Sequence, residues 1–555
     1  MPELVIDGKP VQVPDGATVL EAARALGIAI PALCHRDGFA PSTSCMACVV
    51  KDLATGRLIP SCTAPAAEGM QIESETDEVR DARRQALELL LSDHPADCVA
   101  PCETVCPAGL AIPRMIRQIV AGDVRGAAAT ARDALVLPAT LGRVCPAPCE
   151  KGCRRGLHDA PVAIRLLHRF AADTDLAAGD SALPERGGSP HPPRSDTLSA
   201  NLAAGTETRR AEEETRRADT GKRVAVVGAG PAGLAAAWHL LRRGHGVTVL
   251  DERDAAGGAL RVAIEDDVLP PGVLDAEVAL IERLGAAMRF GIRVGRDVRL
   301  SDLAGEFDAV LVAVGNLDRT DADALGLPVT GKGLEADGDT CRTPTAGVFA
   351  AGGCVRPRKM AVRAVADGAD AAACIDQHLA GQTVRAPGRP FTTRLGRPEP
   401  DELAEFVATA SSDGRVAPAS GAAEGYSAAE AAREAPRCLH CDCRAADTCL
   451  LRTWADRYGA RPNRHTGPRR RVRIDDRHPE IVYEPGKCIS CGLCVQVCER
   501  RRERLGLALI GRGFDVRVGV PMDDSLADAL AEAARECAQV CPTGAIALRD
   551  DTSNI

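Results

Sequence analysis

Residues 222–254, KRVAVVGAGPAGLAAAWHLLRRGHGVTVLDERD, decide the fold of the middle of this chain. A short apolar strand runs into Gly228, Gly230 and Gly233 open a helix, and a second apolar strand ends at Asp251 and Glu252. Glycine there permits a tight turn and close approach of the backbone to a ligand. The helix N-terminus can meet a pyrophosphate, and an acidic residue about twenty positions on can hold ribose hydroxyls. The spacing predicts a Rossmann-like dinucleotide-binding unit over 221–381. Its candidate cofactor-binding residues are Gly228, Gly230, Pro231, Ala232, Gly233, Asp251, Glu252, Arg253, Gly258, Arg261, Val298, Ala313, Val314, Gly315, Gly352 and Gly353. Only about thirty residues separate Gly315 from Thr345, too few for a second Rossmann unit of the kind that binds NAD(P)H.

Working outward, 555 residues ask for several domains, and an aromatic content of 2% leaves their cores to aliphatic side chains. A net charge of -9 argues against a nucleic-acid partner, and the run Arg469, Arg470, Arg471 reads as solvated surface. No basic N-terminal region precedes an apolar stretch, and no apolar run is long enough to span a membrane, so a cytoplasmic location is expected. The 23 cysteines then decide the chemistry. In a long chain of that location they read as metal ligands rather than disulfides. Twenty fall in tight groups, while Cys341, Cys354 and Cys374 are dispersed and expected to pack as small apolar side chains.

The expected fold class is multidomain, α+β and α/β. The reading divides the chain into a 2Fe-2S β-grasp unit at 1–78, a helical double 4Fe-4S unit at 79–175 and a flexible connector at 176–220. The flavin unit at 221–381 follows, then a linker at 382–430, a cysteine-rich segment at 431–475 and a ferredoxin-like 4Fe-4S unit at 476–555. Residues 4–13 read as a hairpin turning at Asp7 and Gly8, followed by a helix opened by the capping box Thr18 and Glu21. After it, CHRDGFAPSTSCMACVV (34–50) and PSCT (60–63) offer Cys34, Cys45, Cys48 and Cys62 for a 2Fe-2S cluster, with zinc as the competing occupant. Next come His94, Cys98, Cys102 and Cys106 at intervals of four, joined by Cys145, Cys149 and Cys153, enough for two 4Fe-4S clusters. RCLHCDCRAADTC (437–449) groups Cys438, Cys441, Cys443 and Cys449, which suit one 4Fe-4S cluster or zinc, with His440 on the surface. KCISCGLCVQVCE (487–499) supplies Cys488, Cys491 and Cys494 for a cubane, completed by the remote Cys541 before Pro542. Ala531 and Ala534 stand where a second cubane would need cysteines, leaving Cys498 and Cys537 as a thiol pair.

These motifs carry family resemblances. VIDGKPVQVPDGATVLEAARALGIAIPALC (5–34) with LELLLSDHPADC (87–98) resembles the N-terminal ferredoxin domain of the respiratory complex I large iron-sulfur subunit and of iron hydrogenases. The ferredoxin segment of the same families resembles 487–548. CVAPCETVCPAGLAIPRMIRQIVAGD (98–123), LGRVCPAPCEKGCRRG (141–156) and APVAIRLLHRF (160–170) resemble the helical domain of glutamate synthase small subunits and dihydropyrimidine dehydrogenase. That resemblance implies Cys98, Cys102 and Cys153 on one cluster and Cys106, Cys145 and Cys149 on another. His94 and His168 would be the replacement fourth ligands, neutral imidazole being a competent iron ligand. The glycine turn, Gly257–Gly258, FDAVLVAVG (307–315) and GVFAAGGCV (347–355) resemble the FAD-binding parts of the glutamate synthase small-subunit family, although Gly353 replaces that family's aspartate.

The expected cofactors are thus one FAD, one 2Fe-2S cluster and three to four 4Fe-4S clusters. No acid or base catalyst is needed, so no catalytic residue is assigned. The reading is an oxidoreductase electron-transfer subunit, partnered in a hetero-oligomeric complex by a catalytic oxidoreductase subunit or a ferredoxin-like redox protein. A self-sufficient NAD(P)H-dependent oxidoreductase of the glutamate synthase small-subunit type is the alternative.

Overall fold

The computed structural model describes residues 1–179, 220–421, 423–513 and 516–549. Most of the expected connector 176–220 lies outside them.

The chain opens with β1 (Glu3–Ile6) and β2 (Lys9–Gln12), joined through Asp7 and Gly8 at φ 51° and 77°, the two-residue turn whose twist suits a hairpin. Thr18 caps α1 (Val19–Ala25) in a capping box: its hydroxyl accepts from the Glu21 amide at 3.2 Å and the Glu21 carboxylate accepts from the Thr18 amide at 2.6 Å. With β3 (Val49–Asp52), β4 (Arg57–Pro60) and β5 (Gln71–Glu73) they form a mixed sheet in the order β2-β1-β5-β3-β4. Leu4, Ile6, Leu20, Val50 and Ile72 fill its core.

α2 (Asp77–Ser92) leads into a helical unit of α3 (Pro101–Val105), α4 (Ile112–Val120), α5 (Val124–Leu135), α6 (Pro138–Val144), α7 (Pro148–Lys151) and α8 (Ile164–Ala177). Prolines preset the first turns of α3, α6 and α7, where a missing N–H has no cost. Ile112, Met115, Ile116 and Ile119 recur at helical spacing and are buried. Cys106 and Cys145 stand directly after α3 and α6, so short helices aim the loops that carry the thiols.

In the flavin unit β6 (Arg223–Val227), β7 (Gly246–Leu250), β8 (Ala287–Arg289), β9 (Ala309–Val312) and the strand Val348–Ala350 are all parallel, with Val348–Ala350 beside β9, then β6, β7 and β8. β6 and β9 read as unbroken apolar runs because helices cover both faces. Between Gly315 and Thr345 lie one helix, Arg319–Leu325, and a hairpin of two-residue strands, Val329–Thr330 and Gly333–Leu334. The helical and flavin units share one core that includes Leu141, Phe170, Trp238 and Ile281. At their joint the buried Glu277 carboxylate accepts from the Ala139 and Thr140 amides at 2.7 and 2.9 Å, capping the first turn of α6.

The Pro/Gly/Ser stretch 382–430, read from composition as a linker, is an ordered strap along the helical unit. It carries the helix Pro400–Ala408 and is held by Arg155 to the Ser411 carbonyl (2.9 Å) and by Arg415 to Glu150 (2.7 Å). A small apolar cluster of Leu395, Leu403, Phe406 and Val407 with Leu439 and Val472, together with charged side chains of both units, holds it down. The C-terminal unit pairs Ile481–Tyr483 antiparallel with Ile546–Leu548 and packs the helices Leu493–Arg501 and Ala534–Val540. Among the described residues no helix is long and apolar enough to cross a membrane.

Candidate iron-sulfur and flavin sites

The β-grasp unit brings its four cysteines together as two pairs. Cys34 Sγ lies 3.3 Å from Cys45 Sγ and Cys48 Sγ 3.4 Å from Cys62 Sγ, all buried. Two sulfurs on one tetrahedral metal with bonds of about 2.3 Å sit roughly 3.8 Å apart, so two close pairs suit a two-iron cluster with two thiolates on each iron.

In the C-terminal unit Cys488, Cys491, Cys494 and Cys541 line a pocket walled by Tyr483, Leu493, Val518 and Ile546. A second pocket is lined by Cys106, Cys145, Cys149 and His168 and by Val362 from the flavin unit. His168 is buried, its Nδ1 lies 3.2 Å from the Pro138 carbonyl, and burial brings its pKa down to about 4. With Nδ1 donating to that carbonyl the ring is neutral and Nε2 is left free, the tautomer a ligating imidazole needs.

The segment 437–449 departs from expectation. Its four cysteines do not gather round one centre. After burial, the thiols of Cys438, Cys153 and Cys441 push Cys102 up, and Cys438 and Cys153 do the same to Cys441. Cys443 and Cys449 sit instead beside Cys98: the Cys443 amide donates to the Cys98 carbonyl (3.4 Å), and burial, then Cys443, Cys98 and Cys541, push Cys449 up. The grouping of Cys98 with Cys102 and Cys153 implied by resemblance is therefore replaced by one in which Cys98 faces the C-terminal half. His94 belongs on that side, because the buried Lys487 ammonium lowers the pKa of both His94, which burial first brings to about 3, and Cys443. His440 is half-buried rather than exposed, with burial bringing it to about 3. At Cys102, Cys106, Cys149, Cys438, Cys441, Cys443 and Cys449 burial favours the neutral thiol, so metal binding there would have to expel protons.

Three contacts invisible in the sequence hold this arrangement. Arg117 on α4 grips Asp442 with two hydrogen bonds of 3.0 and 2.8 Å. Arg154 bonds Asp97 at 2.5 Å and also reaches the Cys441 sulfur. Arg437 donates to Asp159 and the Ala160 carbonyl at 3.0 and 2.8 Å. The partners are remote in sequence, and no motif marks them.

In the flavin unit Gly228 has φ 106°, and a Cβ on Gly233 would stand 1.8 Å from the Gly228 carbonyl oxygen, so the turn closes only with glycine. Both Asp251 oxygens accept backbone amides, from Ala229 (2.6 Å) and Arg253 (2.9 Å), which fixes the carboxylate at the mouth of the turn with lone pairs to spare for a ribose. Glu252 faces Arg293 at 3.6 Å. Arg253 and Arg261 hold the loop below, donating to the Gly258 and Ala256 carbonyls at 3.2 and 2.8 Å. Val298 closes a bridge to Val294 and packs against the cluster that contains Val227. Ala313 abuts Gly228, while Val314 and Gly315 lead to Asn316, whose Oδ1 lies 2.8 Å from where a Cβ on Gly353 would be. The side chain beside Gly353 is thus Asn316, which sequence reasoning missed.

Of the remaining cysteines, Cys498 and Cys537 stand 4.0 Å apart at sulfur. Cys354 donates to the Val312 and Ala351 carbonyls, and Cys341 and Cys374, dispersed in sequence, are hydrogen-bonded to each other.

Comparison with known proteins follows the same divisions. Residues 3–77 match a 2Fe-2S iron-sulfur cluster binding domain, 75–180 the dihydropyrimidine dehydrogenase domain II, 4Fe-4S cluster, 187–368 a pyridine nucleotide-disulphide oxidoreductase and 481–548 a 4Fe-4S single cluster domain. The chain is 41% identical over 220 residues to the beta subunit of the NADP(+)-dependent formate dehydrogenase of Moorella thermoacetica, covering 39% of this chain and 29% of that one. It is 35% identical over 218 residues to the PreT subunit of the NAD-dependent dihydropyrimidine dehydrogenase of Escherichia coli K12 (39% and 45%). It is 34% identical over 240 residues to the small chain of the NADPH glutamate synthase of Mycobacterium tuberculosis (43% and 42%). Each match spans less than half of the relative's length. Over about two fifths of its length the chain is therefore similar to these oxidoreductase subunits, and its segments match in turn a 2Fe-2S domain, a dihydropyrimidine dehydrogenase-type 4Fe-4S domain, a pyridine nucleotide-disulphide oxidoreductase and a 4Fe-4S single cluster domain.

Proposed function

We propose that the chain is an electron-transfer subunit with one FAD, one 2Fe-2S cluster and four 4Fe-4S clusters, the upper end of the count expected from the motifs. When bound, a flavin exchanges electrons in pairs and the clusters one at a time. The observation that carries the reading is that the donor sets adjoin one another in a row. Val362 of the flavin unit lines the cavity of Cys106, Cys145 and Cys149. Cys102 and Cys153 follow on the same helical unit, then Cys98 with Cys443 and Cys449. Leu450 donates to the Pro542 carbonyl at 3.0 Å, seating Cys449 against Cys541. Burial, then Cys541, Cys488 and Cys34, push Cys491 up to about 12, so the C-terminal set in turn faces the N-terminal one. Scattered structural zinc sites have no reason to form such a row.

The 2Fe-2S unit ends the row and is the port for a catalytic oxidoreductase subunit or a ferredoxin-like redox protein. With this reading goes a cytoplasmic location, where cysteines stay reduced and available to metal. In place of the family's aspartate at Gly353, Asn316 is the polar group for the flavin's ribityl or phosphate end.

Anaerobically purified protein should hold flavin and about 18 irons per chain. NADH or NADPH alone should leave the flavin unbleached in stopped-flow mixing, since residues 315–345 form one helix and a two-strand hairpin instead of a second nucleotide unit. Rapid bleaching would replace the relay with the second reading, a self-sufficient NAD(P)H oxidoreductase, which the match to the pyridine nucleotide-disulphide oxidoreductase family favours.

A further inference from the structure

Arg437–Cys449 sits across the interface between the helical unit and the C-terminal unit, and its two ends are fastened to different neighbours. At its start, Arg437 donates to Asp159 and Ala160, and Arg155 returns a bond to the Arg437 carbonyl at 3.3 Å, which places Cys438 beside Cys153. Cys438 belongs to the same buried core as Cys102. Further along, the Cys443 amide bonds the Cys98 carbonyl and Leu450 bonds Pro542, which turns Cys443 and Cys449 the other way. Asp442, the one residue between Cys441 and Cys443, is clamped by Arg117. In a straight extended segment Cys441 and Cys443 would leave the backbone on the same side; here the chain bends at Asp442 and His440 has φ 45°, and the clamp on Asp442 holds that bend between the two thiols.

We infer that this segment is a staple that gives two thiolates to each of two different 4Fe-4S clusters. Cys438 and Cys441 complete a set with Cys102 and Cys153; Cys443 and Cys449 complete one with Cys98, leaving a single residue, Asp442, between the two. Each cluster thereby ties the helical unit to the C-terminal half, and neither can assemble on one half alone. The inference rests on the relay reading only for the presence of iron-sulfur clusters.

The test is iron, acid-labile sulfide and EPR of the full-length holoprotein for Cys438→Ala, Cys449→Ala and the double variant, each scaled to the 2Fe-2S signal of the N-terminal unit. The two single variants should each lose about four irons and different EPR components, and the double variant about eight. A double variant that loses no more iron than either single one would overturn the staple, because one shared cluster, or one zinc, can be lost only once. Should the variants not fold, iron-edge anomalous scattering from crystals of the unmutated holoprotein decides the matter. Two iron centres on opposite sides of Asp442 support the staple, and one centre enclosed by Cys438, Cys441, Cys443 and Cys449 overturns it. Unmutated protein lacking sulfide and flavin would instead remove the relay reading itself.

Discussion

Cys34, Cys45, Cys48 and Cys62 are gathered by one small sheet and the loops beside it, whereas Cys98 meets Cys443 and Cys449 only after most of the chain has folded between them. The first set closes short loops at small entropic cost, and its two sulfur pairs form within one unit. The second depends on contacts such as Arg117 with Asp442, 325 residues apart, and on a strap whose own sequence has little apolar content. Locally closed sites should therefore survive damage elsewhere, and sites closed by distant segments should fail together when their clamp is cut.

Cutting the clamp gives the largest expected effect. Asp442 is 13% exposed and Arg117 27%, so Arg117→Met strands a mostly buried carboxylate at a cost of about 3 kcal/mol or more. Iron should be lost from the sets that share residues 438–449 while the 2Fe-2S EPR signal remains. Parallel loss of every signal would mean that the N-terminal set is no more independent than the central ones.

Gly233→Ala attacks a local site instead. Its Cβ would fall 1.8 Å from the Gly228 carbonyl oxygen and 3.0 Å from its carbon, backbone atoms that cannot swing aside. The turn must open, at a strain cost of about 1–3 kcal/mol, and flavin binding weakens with it. Flavin content should fall with iron content unchanged. Loss of iron alongside the flavin would show that the helical unit depends on the turn it packs beside.

The same contrast explains what was legible in the sequence. The hairpin at Asp7–Gly8, the Thr18–Glu21 box, the glycine turn and the Cys488–Cys494 run are local patterns, each enforced by chain geometry within a few residues, and all appear where the spacing puts them. The division of Cys438, Cys441, Cys443 and Cys449 between two neighbours was not legible, because their own spacing is compatible with one centre and the deciding contacts come from Cys98, Arg117 and Arg155. The strap 382–430 was misjudged for a related reason: outside the helix Pro400–Ala408 it is held by arginines of the helical unit, Arg154 on the Gly396 carbonyl, Arg155 on Ser411 and Arg169 on Ala423. Asn316 escaped because only the folded turn brings it to Gly353.

At the joint between the helical and flavin units a titration tests whether the shared core behaves as one body. Burial holds the Glu277 carboxyl at about 7 against an ordinary 4.5, despite the two amides that donate to it. Between those values the folded chain keeps a proton that the unfolded chain has released. The stability this confers is present below 4.5 and is lost as pH rises through 7, a change of about 3 kcal/mol. Glu277→Gln stays neutral throughout, so its thermal midpoint should gain on the unmutated protein as pH is raised from about 5 to about 8. Parallel pH profiles would show that the first turn of α6 keeps the carboxylate ionised.

The smallest effect is expected where two locally closed units merely touch. Gln496, in the helix that follows Cys491, accepts from the Ala40 amide and donates to the Ala40 carbonyl, both at 2.9 Å, while Arg500 bonds the Gly38 carbonyl and lies 3.8 Å from the Phe39 ring centroid. These contacts hold the loop that carries Cys34 and Cys45 against the C-terminal unit, and they are exposed, so each hydrogen bond contributes only about 1 kcal/mol. Neither donor set needs them to close: Cys34 to Cys62 come from the β-grasp unit and Cys488 to Cys541 from the C-terminal unit. Gln496→Ala should therefore leave iron and flavin contents unchanged and alter only the coupling between the two units, seen as a change in the EPR relaxation of the reduced 2Fe-2S signal. If iron is lost from either set, the loop is a required part of both sites, and the distinction between sites closed locally and sites closed at a distance fails at the place where it is sharpest.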